Sequence, residues 1–249
     1  MKKNNAEDHF ESQWGRTFFP PKDIQFIIQN KEIWDFAKKL LKNSKTVVDL
    51  GAGGGTLLYN VRKVTSADLI AVDFSHEALR QLKKMVPSAK IVIEDITATS
   101  FGEVSCDFCL SSMVIEHVDD IKLIKEVHRI LMPRGYFLVT TVLRADWSWY
   151  FYKNKDGMTV LEPTHLREYT SLEKFIVMLK EGGFDILKVK TPRIKYPLID
   201  PIFQTIFRVS KNNFFGYFPT TRPMEFVRKI SKVPIPGYHA IEVIAQKTK

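Results

Sequence analysis

Cysteine is nearly absent: Cys106 and Cys109 are the only two in 249 residues. Two cysteines cannot build a disulfide framework. A C-x-x-C pair with no second pair and no nearby histidine is a poor zinc or redox site. Cys106-Asp107-Phe108-Cys109-Leu110 reads instead as a strand entering the core with two buried thiols. A reducing, cytoplasmic compartment is expected, and no metal ligands are. The chain has no run of about 20 apolar residues, so no membrane-spanning helix is expected. The polar start, Met1-Lys2-Lys3-Asn4-Asn5, does not read as a signal peptide. Acid is scarce at the C-terminal end: Ile186 to Lys249 hold 12 Lys/Arg against 3 Asp/Glu, and the rest of the chain holds 25 of each. The net charge of +9 therefore sits in the last quarter, a positional clue to a partner. With 45% hydrophobic residues the chain can bury the core of one α/β domain with embellishments.

What is abundant is glycine at one point. Val47-Val48-Asp49-Leu50 reads as an apolar strand that stops in Gly51-Ala52-Gly53-Gly54-Gly55, after which Thr56-Leu57-Leu58-Tyr59 can start a helix. Such a turn sets a bare backbone and free N–H groups against a ligand. Phosphate is the first ligand to weigh, and it fits badly. No Gly-Lys-Ser/Thr follows, and the dinucleotide fingerprint fails at its third glycine, where Thr56 stands. Asp49 would repel a pyrophosphate and favour a cation. Two further strands end in acid: Leu69-Ile70-Ala71-Val72-Asp73 and Ala89-Lys90-Ile91-Val92-Ile93-Glu94-Asp95-Ile96. Asp73 lies 22 residues past Gly51, the spacing at which an acid at the end of a second strand takes ribose hydroxyls. Ser75 reads as the cap of the next helix.

The D-x-G-x-G-x-G turn resembles the first motif of the class I S-adenosylmethionine-dependent methyltransferases. Asp107-Phe108-Cys109-Leu110-Ser111-Ser112 running into Met113-Val114-Ile115-Glu116-His117-Val118 resembles the fourth motif of the branch acting on small molecules and lipids. The Asn/Asp-Pro-Pro-aromatic tetrapeptide of amino-methyltransferases of nucleic acids is absent. Leu131-Met132-Pro133-Arg134-Gly135 before a strand, and Thr164-His165-Leu166-Arg167-Glu168-Tyr169-Thr170 before a helix capped by Thr170 and Glu173, extend the resemblance over Val47 to Val189.

The resemblance implies an α/β, Rossmann-like, doubly wound seven-stranded sheet whose last strand, Tyr238 to Ala245, is antiparallel, with an insertion before it. It implies S-adenosylmethionine as cofactor and S-adenosylhomocysteine as product. Asp49, Gly51, Gly53 and Gly55 would cradle the sulfonium compound, Asp73 its ribose, Phe74, Asp95 and Ile96 its adenine, and Ser111 and Met113 its methionine end. His117 and His165 are the candidates for removing a proton or orienting the acceptor. Core packing for Phe74 and satisfaction of backbone carbonyls for His117 are the competing readings.

Four segments follow. Residues 1–45 form an N-terminal lid segment and a helix, with Asp23 as its cap and Trp14 and Phe18 as lid candidates. Residues 46–191 form the cofactor-binding core, 192–237 an insertion serving as acceptor cap, and 238–249 the last strand. The insertion holds seven of the 12 prolines, an apolar helix face at Ile202, Phe203, Ile206, Phe207 and Val209, and Arg228, Lys229 and Lys232. Apolar plus basic suits a small lipophilic acceptor or peripheral contact with an anionic membrane. A self-contained small core is the plain alternative. Single-stranded nucleic acid is a third reading, which would make the chain an RNA methyltransferase. A cofactor-binding module without catalysis is the remaining alternative.

Overall fold

The computed structural model describes residues 21–148, 152–154, 156–162, 164–197, 199 and 222–248. Trp14, Phe18, Trp149 to Phe151 and the Ile202 to Val209 face lie outside the described residues. A 3-10 turn, Ile24–Phe26, is capped by the Asp23 side chain, and α1 (Lys31–Leu41) begins anew behind Asn30, whose side chain accepts from the Glu32 N–H. The sequence reads this stretch as one helix from Asp23. It breaks because the N–H groups of Gln29 and Asn30 are taken by the two carboxylate oxygens of Glu242, at 2.5 and 3.1 Å. Those amides are thereby lost to a continuous helical ladder. Ile33, Ala37 and Leu41 then recur at helical spacing on the buried face.

From there strand and helix alternate. β1 (Thr46–Leu50) leads to α2 (Thr56–Arg62), β2 (Asp68–Asp73) to α3 (His76–Met85), and β3 (Lys90–Ile93) by a long loop to β4 (Cys106–Ser112). A 3-10 turn, Ile115–His117, precedes α4 (Asp120–Ile130), which runs into β5 (Leu131–Arg144). The two-residue strands β6 (Tyr152–Lys153) and β7 (Thr159–Val160) pair with each other. Then come α5 (Leu172–Glu181), β8 (Phe184–Lys190), β9 (Arg193–Pro197), α6 (Arg222–Ile230) and β10 (Lys232–Lys247). Ser75 caps α3 as its sequence predicts, and Asp119 caps α4. The α5 cap is Ser171, one residue later than the Thr170 that the sequence suggests.

The main sheet runs β3-β2-β1-β4-β5-β10-β8, with β9 paired to β10. The first five strands are parallel, and β10 is antiparallel to β5 and β8. The expected seven strands are thus eight. β10 starts at Lys232 rather than Tyr238, and its extra length pairs with β9, Lys232 opposite Pro197 and Val233 opposite Tyr196. The prolines had masked this strand in the sequence, but an edge tolerates them because their missing N–H need not enter the ladder.

The strands are buried on both faces, as parallel sheets under helices require. Val47 and Phe108 point to one core with Leu57, Leu58, Val61, Leu79 and Leu82, covered by α1, α2 and α3. Val48 and Cys109 point to the other with Leu123, Val127, Ile130, Phe175 and Leu179, covered by α4 and α5. Both thiols are free and buried, and burial pushes that of Cys106 up to about 12. Among the described residues, no helix is long and apolar enough to cross a membrane.

Chain order reverses between β1 and β4, so the crevice of this sheet lies beyond their C-terminal ends. The N-terminal segment reaches that edge. Thr56 Oγ1 on α2 donates to the Pro21 carbonyl, Asn60 Nδ2 to that of Lys22, and Lys232 Nζ to that of Gln25. Glu242, fully buried, has its carboxyl pushed up by burial to about 7 even while it holds two amides. A carboxyl raised from 4.5 to about 7 in the fold stabilises the folded state most below pH 4.5, and that stability drains away as pH rises through 7. Glu242→Ala should remove this pH dependence. By leaving two buried amides unpaired, it should cost about 1–3 kcal/mol for each. Urea unfolding at pH 5 and pH 8 measures both.

Candidate active site

The glycine turn is fixed by its own geometry. The N–H groups of Gly51 and Ala52 both donate to the Val72 carbonyl, at 2.8 and 3.0 Å, so the turn folds back on β2. Gly51 has φ 80°, and a Cβ there would sit 2.4 Å from Val114 Cγ2. Gly55 has φ 90° and acts as the bare N-cap of α2, where a Cβ would meet Leu82 Cγ at 2.7 Å. Both the backbone conformation and the space exclude a side chain.

Two carboxylates stand at this edge. Asp73 accepts from the Ser75 N–H and the Gly53 N–H, each at 2.9 Å, and so ties the turn after β1 to the turn after β2. Asp49 is 2% exposed, and its Oδ2 has no hydrogen-bond partner. Burial, and secondarily the charge of Asp73, pushes its carboxyl up to about 8. A desolvated, unsatisfied carboxylate is a place for a cation.

The other expected cofactor positions fall around these. Phe74 is 38% exposed and follows Asp73 directly. β3 stops at Ile93, earlier than the sequence suggests, so Asp95 is an exposed turn residue holding the N–H and Oγ1 of Thr97, with Ile96 buried behind it. Ser111 is fully buried with its Oγ unpartnered. Met113 has φ 55°, and its N–H donates to the Thr140 carbonyl at 2.9 Å, which leaves its own carbonyl as the group to offer.

Beyond β4 the structure joins the two histidines. The rings of His117 and His165 meet edge to face, centroids 4.7 Å apart. They come from segments 48 residues apart, joined by Glu116, whose carbonyl accepts from the N–H of Leu166 at 2.9 Å and of Arg167 at 3.4 Å. Arg167 Nη1 also reaches the Val118 carbonyl and Asp120, and Tyr169 Oη donates to Asp120. His165 Nδ1 lies 2.9 Å from Glu168 Oε1, both side chains 3% exposed, and His117 Nδ1 lies 3.1 Å from Thr164 Oγ1. Burial draws His117 below the ordinary imidazole value, against the pull of Glu116 and Glu162. Burial opposes charge on His165 too, but there the Glu168 hydrogen bond and the charges of Glu116, Glu162 and Glu168 prevail and raise it. Neighbouring titratable groups pushed in opposite directions are an arrangement that can support acid–base chemistry. Sequence reasoning named both histidines and missed Glu116 and Glu168. The signals were there: an acid directly before His117, and one three residues after His165, where side chains on a turn can meet.

Comparison with known proteins bears on the fold and the family. Residues 48–139 match the family described as methyltransferase domain. The ubiquinone/menaquinone biosynthesis C-methyltransferase of Rickettsia felis is 23% identical over 186 residues, covering 63% of this chain and 75% of that protein. A protein of Mycolicibacterium smegmatis named "probable S-adenosylmethionine-dependent methyltransferase" is 27% identical over 146 residues, covering 57% of this chain and 52% of its own length. In fold, the chain is similar to an S-adenosylmethionine-dependent methyltransferase of Methanosarcina mazei, with TM-score 0.58, 16% identity, and 86% and 97% of the two chains covered. The sheet order, the acid-tipped glycine turn and these matches together define a class I Rossmann-fold enzyme. Residues 48–139 are a methyltransferase domain, and the chain is similar to S-adenosylmethionine-dependent methyltransferases.

Gly51→Ala should destabilise the fold by about 2–4 kcal/mol, through the strained φ and the overlap with Val114. Adding Val114→Ala should return about 1 kcal/mol of that, a coupling that a double-mutant cycle reads directly. Strict additivity would show that the overlap is relieved elsewhere.

Proposed function

We propose that the chain transfers the methyl group of S-adenosylmethionine to a small, lipophilic acceptor. The observation that carries the cofactor half is Asp49, a buried carboxylate with an unused oxygen at the tip of β1. The residues present fit the cofactor: its sulfonium and ammonium are the cations such a carboxylate favours. Asp49 faces that charge, Asp73 takes the ribose diol, and Phe74 covers the adenine face. Asp95 and the Ile96 N–H address the adenine edge. Gly51, Gly53 and Gly55 allow close backbone approach, and Ser111 and the Met113 carbonyl serve the methionine end. When bound, the cofactor supplies a methyl on a cationic sulfur that leaves as a thioether in a single in-line displacement, giving S-adenosylhomocysteine. The chain's own contribution is positioning and exclusion of water. For a hydroxyl acceptor, His117, held neutral, is the group able to take a proton, and His165 with Glu168 orients the acceptor.

Two observations support a lipophilic acceptor. Phe226 and Ile230, one turn apart on α6, are 63% and 66% exposed, on the segment that re-enters the sheet beyond the end of β5. The Rickettsia felis relative is named for methylation in quinone biosynthesis. Of the twelve Lys/Arg in this basic region, which suited RNA, six are engaged within the chain. Lys188 and Lys190 pair with Glu32, Lys229 with Asp23, and Arg228 and Lys232 lie over the Phe26 ring. Lys247 Nζ donates to the carbonyls of His128 and Leu131.

With cofactor labelled on its methyl and a cell extract as acceptor source, label is expected in the organic-extractable small molecules. Asp73→Asn should raise the KM for cofactor roughly 10- to 100-fold, the loss of charged hydrogen bonds to a diol. Label in RNA would replace the acceptor reading, and no label in any fraction would end it. A second measurement isolates Asp49. Below pH 8 its carboxyl is protonated, so a cationic ligand must expel that proton. Calorimetry in buffers of different ionisation enthalpy should show proton release at pH 7 and tighter binding as pH rises towards 8. Asp49→Asn should show neither.

A further inference from the structure

We infer that Glu116, His117 and His165 form a binding site for a divalent transition-metal ion, although the sequence assigned this chain no metal. Each residue offers one donor atom, and these three atoms lie within 4.8 Å of one another. Two imidazoles and a carboxylate, with a position left open, are a donor set used for zinc and for other first-row divalent metals.

The surroundings are those of a built site. Glu116 is fully buried, and its two oxygens differ: Oε2 accepts from Thr141 Oγ1 at 2.9 Å, and Oε1 has no hydrogen-bond partner. A carboxylate oxygen stripped of water and given no donor is costly unless something positive comes to it. Each histidine is fixed through Nδ1, His165 by the buried Glu168 and His117 by Thr164. This is how outer-shell groups orient imidazole ligands, presenting the far nitrogen. Glu168 is in turn within 3.8 Å of Arg144 Nε and accepts from the Leu161 N–H, so the orienting carboxylate is itself anchored.

Metal–ligand bonds of about 2.0–2.1 Å place tetrahedral donors roughly 3.4 Å apart, so the cluster would have to contract by on the order of 1 Å. His165 is the member able to move, because it sits in the loop after β7, whereas Glu116 and His117 sit on the turn directly behind β4. A metal there would polarise an acceptor oxygen, and the histidines would serve as ligands rather than bases. Only that last consequence rests on the function proposed above; metal binding itself is read without cofactor or acceptor.

The test uses the full chain, purified without a metal-affinity tag and stripped with chelator, then titrated with Co2+. One equivalent should bind with visible d–d absorption of a low-coordinate nitrogen and oxygen site, and Zn2+ should abolish the signal. His117→Asn and His165→Asn should each weaken Co2+ binding by at least about 100-fold. Glu168→Gln, which leaves all three ligands in place, should weaken it roughly 10-fold. S-adenosylmethionine binding, followed in parallel, should survive in each variant, which separates failure of the metal site from failure of the cofactor reading. Should a histidine variant not fold, X-ray absorption of the zinc form of the unaltered chain decides, with two imidazoles expected in the coordination shell. No stoichiometric Co2+ spectrum in folded, cofactor-binding protein overturns the inference, as does a shell with fewer than two imidazoles or binding indifferent to His165→Asn. In that event Glu116 serves only to tie Thr141 and the His165 loop to the end of β4.

Discussion

Two carboxylates at the tips of adjacent parallel strands govern this structure. Asp49 and Asp73 cannot both ionise freely in a site this dry. The shift of Asp49 to about 8 corresponds to on the order of 5 kcal/mol against its charged form. Asp73 is tied to the N–H groups of Gly53 and Ser75. The consequence is a division of labour. One acid is a strut that holds two loops together, and the other keeps an oxygen with no hydrogen-bond partner. The glycine turn follows from the same constraint. It must fold back on the Val72 carbonyl and pass close to Val114, which leaves room for no side chain at Gly51. Remove the strut and the turn loses its tie to β2.

What the sequence discloses here is what its local chemistry dictates. The run from Val47 to Gly55 carries strand, turn and helix start within nine residues. Ser75 announces its helix because a cap acts over three residues. The larger misreadings share a cause: the deciding partner lies far along the chain. The first helix breaks at Gln29 and Asn30 because Glu242, more than 200 residues away, takes their amides. β9 becomes a strand only because Lys232 to Pro234 are there to pair with it. Glu116 and Glu168 fall into place only once the loop after β7 has closed over the end of β4.

The C-terminal charge shows how composition can mislead. A net of +9 in one quarter of the chain suggested an external, anionic partner. Half of those twelve cations instead hold the N-terminal segment and the sheet edges together. Lys232 shows the trade most clearly. Burial draws its ammonium down to about 8, yet it lies 3.5 Å from the centroid of the Phe26 ring and donates to the Gln25 carbonyl. A cation that accepts desolvation to pin a neighbouring segment is architecture, not a landing pad.

The N-terminal segment and the last strand are therefore one device. Glu242 grips Gln29 and Asn30 from the middle of β10, Lys232 grips Gln25 from its start, and Thr56 on the first turn of α2 holds Pro21. These contacts run from the first turn of α2 to the start and middle of β10. The two halves of the site, the acid-tipped strands and the histidine cluster, lie on opposite sides of the point where chain order reverses. Nothing local in the sequence joins them. They are joined by β4, whose Leu110 pairs with Asp49 of β1 and whose following turn carries Glu116 and His117. A displacement of this strand would move the acid-tipped turn and the histidine cluster together, so their relative position is set by a central strand of the sheet rather than by its loops.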